Sequence, residues 1–313
     1  MKIISLFLIF ILISCSKNET KNELIIFHAG SLSVPFQKVI DEFKKENPDV
    51  EIKKEIAGSV ECARKITELK KDCDVFASAD FLVIDSLLIP TYADWNLKFA
   101  TNELVIAFNE KSFLNNEINS SNWYKILLNK NVKYGRADEN LDPCGYRTIM
   151  MLKLSEIFYK EKYLANKLLE KNKENVRPKE VDLLALLDAK EIDYTIIYRS
   201  IAEQHKLKFI TLPDSINLGN PNLLNYYKQV NVSSKKKVRK IINISGSSII
   251  YSLTIPKKSN NKRLAIKFIS FLLDKNKGEK ILQANYLKSF LPAISSQYDF
   301  LPVELKQFAQ REL

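Results

Sequence analysis

The chain is poor in the residues that build metal centres and disulfide frameworks. It has two histidines and four cysteines in 313 residues, and no Cys-x-x-Cys pair, so a zinc site of the usual Cys/His kind is not expected. Cys15 closes an apolar leader, which leaves Cys62, Cys73 and Cys144. Three is an odd number, so at least one thiol stays unpaired within the chain. Cys62 falls in the first turn of a helix expected to open at Ser59, and Cys73 lies past its far end, too distant for a bond. No structural disulfide is expected. Glycine is scarce as well, with seven in the whole chain. Internal repeats, low-complexity linkers and a long apolar run beyond Ile13 are all missing. Acidic residues are outnumbered, 37 against 48 Lys and Arg, for a formal charge of +11. The lysines are scattered among acidic residues on helix-like segments, and the run Lys235-Lys236-Lys237 stands alone. Without a basic and aromatic cluster, a nucleic-acid partner is not expected.

What is present starts with a targeting segment. Lys2 precedes an apolar stretch over residues 3–13, too short for a comfortable membrane span. The ending Leu12-Ile13-Ser14-Cys15 resembles a bacterial lipobox. That resemblance implies a signal peptide over residues 1–14, cleavage before Cys15, a lipid on its sulfur, and a mature chain tethered to a membrane of the cell envelope, on its periplasmic or extracellular face. The polar residues 15–22 are the expected tether. The rest, with 46% hydrophobic residues overall, suffices for one large domain or two modest lobes.

Apolar runs and helical spacing alternate. Strands are expected at 24–28, 50–56 and 74–77, with helices at 34–47, 60–69 and 81–88 between and after them. Pro48 stops the first helix. This βαβαβ pattern predicts a parallel sheet with ligand at the carboxyl ends of its strands. Further strands are expected at 104–109, 132–134, 193–198, 209–212 and 249–255. Helices are expected at 123–128, 146–159, 181–187, 263–273 and 278–284. The fold class is α/β, with lobe 1 built from residues 23–99 plus 245–313 and lobe 2 from 100–244. Extended segments near Ala100 and Ser247 join them, as in a hinged receptor with an interlobe cleft.

Two strand-to-helix turns carry the scarce glycines: Phe27-His28-Ala29-Gly30-Ser31-Leu32 and Ile56-Ala57-Gly58-Ser59-Val60. Each puts a small residue, a hydroxyl and free first-turn amides at a helix start, where the dipole favours an anion. Gly30, Ser31 and Ser59 are thus candidate oxyanion donors, although serine at such a place is also an ordinary cap. In the second half, Asp142-Pro143-Cys144-Gly145 precedes a long helix. Asp142 either caps that helix, with Pro143 at its first position, or faces a cleft, with the N–H groups of Cys144 and Gly145 as added donors. Glu180, after Pro178, suits a helix start in the same two ways. Tyr198 ends an apolar strand and either offers a hydroxyl or packs.

The segments FHAGSL, AGSVECARKITEL, DVFASAD, INSSNWYKIL, DPCGYRT, IDYTIIYRSIAEQH and LPDSIN lie in the same order as in archaeal-type molybdate/tungstate-binding proteins of the ModA/WtpA kind. These are solute receptors of ABC transporters. The resemblance runs from about Leu24 to Leu291 and implies a two-lobed type II periplasmic-binding-protein fold, a permease partner, no catalysis and no cofactor. It further implies that Gly30, Ser31 and Ser59, the backbone of Pro143 and Cys144, and Tyr198 hold the oxo groups of molybdate or tungstate. Asp142 and Glu180 would contact the metal of that anion directly. Two carboxylates repel a bound dianion, yet Mo(VI) and W(VI) accept extra oxygen ligands and the sulfur of sulfate does not. Two alternatives stand beside this reading. One is a receptor for sulfate, phosphate or a carboxylate. The other is a secreted hydrolase with Cys144 as nucleophile and His28 as base.

Overall fold

A computed structural model describes residues 22–171, 173–237 and 240–312. The expected signal peptide, the lipidation site Cys15 and the tether up to residue 21 lie outside the described residues. At Asn22 the chain is already held, because its side-chain amide donates to the Asp49 carbonyl at 3.0 Å and its own carbonyl accepts from the Glu51 amide at 2.8 Å.

Strands β1 (Glu23–Ala29), β2 (Glu51–Ala57) and β3 (Val75–Ser78) open the fold. β1 pairs in parallel with both others, as the βαβαβ pattern predicts. β4 (Leu97–Thr101) follows, and residues 102–103 then carry the chain to a second sheet. That sheet holds β5 (Leu104–Phe108), β6 (Tyr134–Ala137), β7 (Val176–Arg177), β8 (Tyr194–Tyr198) and β9 (Lys208–Thr211). β10 (Asn231–Lys237) and β11 (Lys240–Ser245) form a separate hairpin. Residues 246–249 lead back to β12 (Ile250–Thr254), β13 (Lys288–Ser295) and β14 (Ala309–Arg311) in the first sheet. The strand orders are β14-β13-β4-β12-β3-β1-β2 and β7-β6-β8-β5-β9. The result is a two-lobed α/β architecture, each lobe built on its own sheet.

Each lobe buries helices on its sheet for a legible reason. The Ser33–Glu46 helix places Phe36, Val39, Ile40 and Phe43 on one stripe, all buried. Its Phe36 and Phe43 meet Phe268 of the Lys262–Leu273 helix edge-on, at ring-centroid distances of 6.3 and 5.4 Å. Burying one such ring contributes about 2–3 kcal/mol, so the C-terminal helix is fastened to the first lobe. In the second lobe the Pro143–Tyr159 helix is buried along most of its length. Its apolar character on all sides suits a central helix and not a surface one.

Candidate functional site

The two glycine-serine turns sit where strands β1 and β2 end. After Ala29 the chain makes one 3₁₀ turn, Gly30–Leu32, before the Ser33–Glu46 helix. Gly58 stands at the cap of the Ser59–Thr67 helix. Neither serine caps a helix with its side chain. Ser31 Oγ accepts from the Tyr251 hydroxyl at 3.0 Å, and Ser59 Oγ accepts from the Ala79 amide at 3.0 Å. Each serine accepts, so each keeps its own O–H to donate. Plain capping does not account for either residue.

Across the cleft, Asp142 does cap. Its Oδ1 accepts from the Cys144 amide at 2.8 Å, with Pro143 at the first helical position. Its Oδ2 accepts from the Glu180 amide at 3.3 Å. Gly145 donates to the Asp142 carbonyl at 3.0 Å. The amides of Cys144 and Gly145 are therefore occupied within the turn, and Pro143 has none, which corrects the expectation that this turn offers free backbone donors. Glu180 differs again. The helix it was expected to open begins at Asp182, so Glu180 lies in the turn before it. Both its carboxylate oxygens are buried, and among the described residues they have no donor other than the neighbouring Asp142 carboxyl. Burial, and then the charge of Glu180, push the Asp142 carboxyl well above the usual carboxylate range. The two carboxyl groups thus lie against each other.

The lobes bring these groups together. A methyl group on Gly30 would lie 3.1 Å from Val181 Cγ2 and 3.6 Å from Glu180 Oε1, and one on Gly58 only 2.3 Å from the Leu141 carbonyl oxygen. The Glu61 amide donates to that same carbonyl at 3.3 Å. One turn of lobe 1 thus faces Glu180 and the other faces Leu141 and Asp142. Ser31, Ser59, Asp142, Glu180 and Tyr198 are at most 2% exposed. Solvent does not reach them in this arrangement of the lobes. Tyr198 ends β8, and its hydroxyl is buried without a partner among the described residues. Burial holds that phenol well above its ordinary range, so it is a neutral donor.

Sequence reasoning missed a chain of polar groups at the crossover. Asn102 donates to Ser200 Oγ at 2.7 Å and to the Tyr251 hydroxyl at 3.2 Å, and Tyr251 donates on to Ser31. A lone Asn between two strands and a Tyr inside an apolar strand give no pattern to find. The pairing of strands β12 and β4 brings them together.

The model of a bacterial extracellular solute-binding protein matches residues 24–287. The chain belongs to this family of extracellular solute-binding proteins. It is 38% identical to a protein of Pyrococcus abyssi named molybdate/tungstate-binding protein WtpA, over 98% of this chain and 97% of that one. Among solved structures, it resembles the periplasmic molybdate-binding protein of Azotobacter vinelandii (15% identity, TM-score 0.60, 84% of this chain and 98% of the other). It also resembles the sulfate-binding protein SubI of Mycobacterium tuberculosis (12% identity, TM-score 0.61, 85% and 86%). At these identities the structures speak for the fold and leave the anion open. Members of the solute-binding family are receptors, and among the described residues no helix is long and apolar enough to cross a membrane.

As a solute-binding protein, the chain has His28 and its thiols in unreactive settings. Cys62, Cys73 and Cys144 are buried and unbonded. Burial, then the charges of Glu180 and Asp142, push the Cys144 thiol well above its ordinary range, opposite to an activated nucleophile. Burial lowers His28 to about 4, although its Nδ1–H donates to the Ala29 carbonyl at 2.9 Å. Both shifts oppose a thiolate–imidazolium pair. A depressed histidine also has a consequence for acid stability. The stabilisation from neutral His28 is fully present above pH 6.5 and is lost as the pH falls through about 4. The loss amounts to up to about 3 kcal/mol at the acid end. His28→Asn keeps a donor for the Ala29 carbonyl and removes the titration. Its denaturant midpoint should fall less steeply than that of the wild type between pH 6.5 and 4; parallel profiles would refute the assignment.

Proposed function

We propose that this protein is a receptor for molybdate or tungstate, which it encloses between its lobes and delivers to an ABC permease. Lobe 1 is built on the first sheet and lobe 2 on the second, with the division close to the expected boundaries at 99/100 and 244/245, and the crossovers at 102–103 and 246–249 act as the hinge. A lipid on Cys15 anchors the mature chain to the cell envelope. The protein is not an enzyme and takes no cofactor; the anion is cargo. Support comes from the relative named for these two anions and, above all, from one feature of the cleft. Two buried carboxyl groups, Asp142 and Glu180, face two glycine-serine turns.

That arrangement suits one class of oxyanion. Ser31, Ser59 and Tyr198 donate to oxo groups, while Asp142 and Glu180 bind the central atom and raise its coordination from four to six. Sulfate takes the same donors but offers no such bond, so the repulsion of two carboxylates, worth several kcal/mol in a partly dry cleft, goes uncompensated. Phosphate brings the same problem and could reduce it only by protonation.

Isothermal calorimetry on the full mature domain with molybdate, tungstate and sulfate tests the reading. Tungstate and molybdate should bind at least about 10³-fold more tightly than sulfate, a difference of about 4 kcal/mol. Comparable sulfate affinity would sink the proposal.

A further inference from the structure

Behind the ligand site, a buried ion pair crosses from one lobe to the other. Asp80 follows β3 and caps the Phe81–Leu87 helix of lobe 1, its Oδ1 accepting from the Leu82 amide at 3.0 Å. Its Oδ2 faces lobe 2. There it lies 3.2 Å from Arg147 Nη2 and accepts from the Tyr146 hydroxyl. The side chains of Arg147 and Asp80 are each 1% exposed. The guanidinium nitrogens have no hydrogen-bond partner among the described residues, so Asp80 is the counter-charge Arg147 depends on. Burial and the Asp80 charge keep the Tyr146 phenol protonated, and hence a donor.

The two ends of this pair are tied to the two halves of the site. Ala79, next to Asp80, donates to Ser59 Oγ and fixes that hydroxyl. Tyr146 and Arg147 lie on the helix whose cap is Asp142. The pair therefore spans from the element that orients an oxo-group donor to the element that carries a carboxylate. A buried ion pair adds little net stability, because desolvation offsets attraction, but it penalises every register that leaves a charge unpaired.

We propose that Asp80, Arg147 and Tyr146 form an interlobe latch that sets the register of the closed cleft, making Arg147 a positioning residue for ligand capture. In the open protein both charges meet water. On closure they fit only when Ser59 stands opposite Asp142. The inference rests on the two-lobed receptor reading and not on which oxyanion is bound.

The test compares Asp80→Asn, Tyr146→Phe, Arg147→Met and the double variant Asp80→Asn/Arg147→Met. Tungstate binding is followed by stopped flow, and closure by small-angle X-ray scattering with and without tungstate. Asp80→Asn leaves a buried guanidinium unpaired and should weaken binding by about 30-fold, mainly through faster release. Tyr146→Phe should weaken it by only a few-fold. The double variant should regain most of the affinity lost by Asp80→Asn, since no charge is then stranded. If Arg147 instead served the anion directly, Asp80→Asn would tighten binding and the double variant would be the weakest; that outcome overturns the latch. Unchanged release rates in Asp80→Asn would overturn it too. Should Arg147→Met not fold, Asp80→Asn and Tyr146→Phe still decide. A wild type that binds no tungstate would defeat the functional reading alone, because the maximum dimension of the ligand-free wild type and Asp80→Asn still reports the latch. Asp80→Asn should then be the more open of the two, and equal dimensions would count against the latch.

Discussion

Glu180→Gln should cut tungstate affinity by roughly 10³-fold, about 4 kcal/mol, while the ligand-free protein becomes no less stable. The two effects have opposite signs because Glu180 does nothing for the empty fold. Its carboxylate is 1% exposed, and among the described residues its oxygens have no donor other than the neighbouring Asp142 carboxyl. A buried charge in that state is a cost. The isosteric amide removes the charge and the repulsion with Asp142, so the thermal midpoint without ligand should hold or rise by a few degrees. A neutral amide oxygen is a poor ligand for a hexavalent metal, so binding collapses. Asp142→Ala makes the control. Asp142 accepts from the Cys144 and Glu180 amides, and losing such a cap costs about 1 kcal/mol. That variant should lose both stability and tungstate affinity. Thermal unfolding and calorimetry on both variants separate a residue held for its ligand from one that also holds the fold. A Glu180→Gln protein with wild-type affinity would end the proposal of direct coordination.

The contrast between these two carboxylates also marks how far the sequence could be read. Asp142 was legible as a cap because Asp-Pro at a helix start is local chemistry, and it proves to be one. Glu180 looked like a second cap. Its isolation depends on Gly30 and Val181 closing over it, which no local pattern encodes. The same division runs through the fold. Strands and helices with clean periodicity, such as Glu23–Ala29 and Ser33–Glu46, fall within a residue or two of their expected limits. β6 was expected at 132–134 and runs from Tyr134 to Ala137. Gly135 sits inside the strand, where a side chain would meet Leu183 Cδ2 at 2.7 Å. β13 was missed altogether. Its residues do not alternate in burial, and its pairing with β4 shifts register between Ser289 and Ile294. β4 and β14, also missed, flank it in the sheet. Arg147 was quoted as part of a motif, but its partner Asp80 is 67 positions earlier, and only closure of the lobes brings the two charges together.

Gly58→Ala should leave the ligand-free protein folded and yet weaken tungstate binding by about 30-fold or more. Gly58 has φ −59° and ψ 143°, a conformation open to any residue, so alanine adds no backbone strain. The added methyl becomes a problem only when the lobes meet, where it would lie 2.3 Å from the Leu141 carbonyl oxygen and 3.1 Å from the Asp142 Cα. Those are backbone atoms and cannot rotate away. Overpacking of this kind costs about 1–3 kcal/mol, and the whole of it falls on the closed state. The lost affinity should thus appear as faster release, with scattering of the tungstate-saturated variant more open than that of the wild type. Gly30→Ala is the milder counterpart. Its methyl would meet the Val181 side chain at 3.1 Å, and a valine methyl can shift by a few tenths of an ångström, so a loss of only a few-fold is expected. A Gly58→Ala protein that closes on tungstate like the wild type would mean that the contact between the Gly58 turn and Leu141 is not part of the ligand-bound form. Ser59 and Asp142 would then not face each other across the anion. The order of the two glycine variants therefore tests the closed geometry separately from the chemistry of the carboxylates.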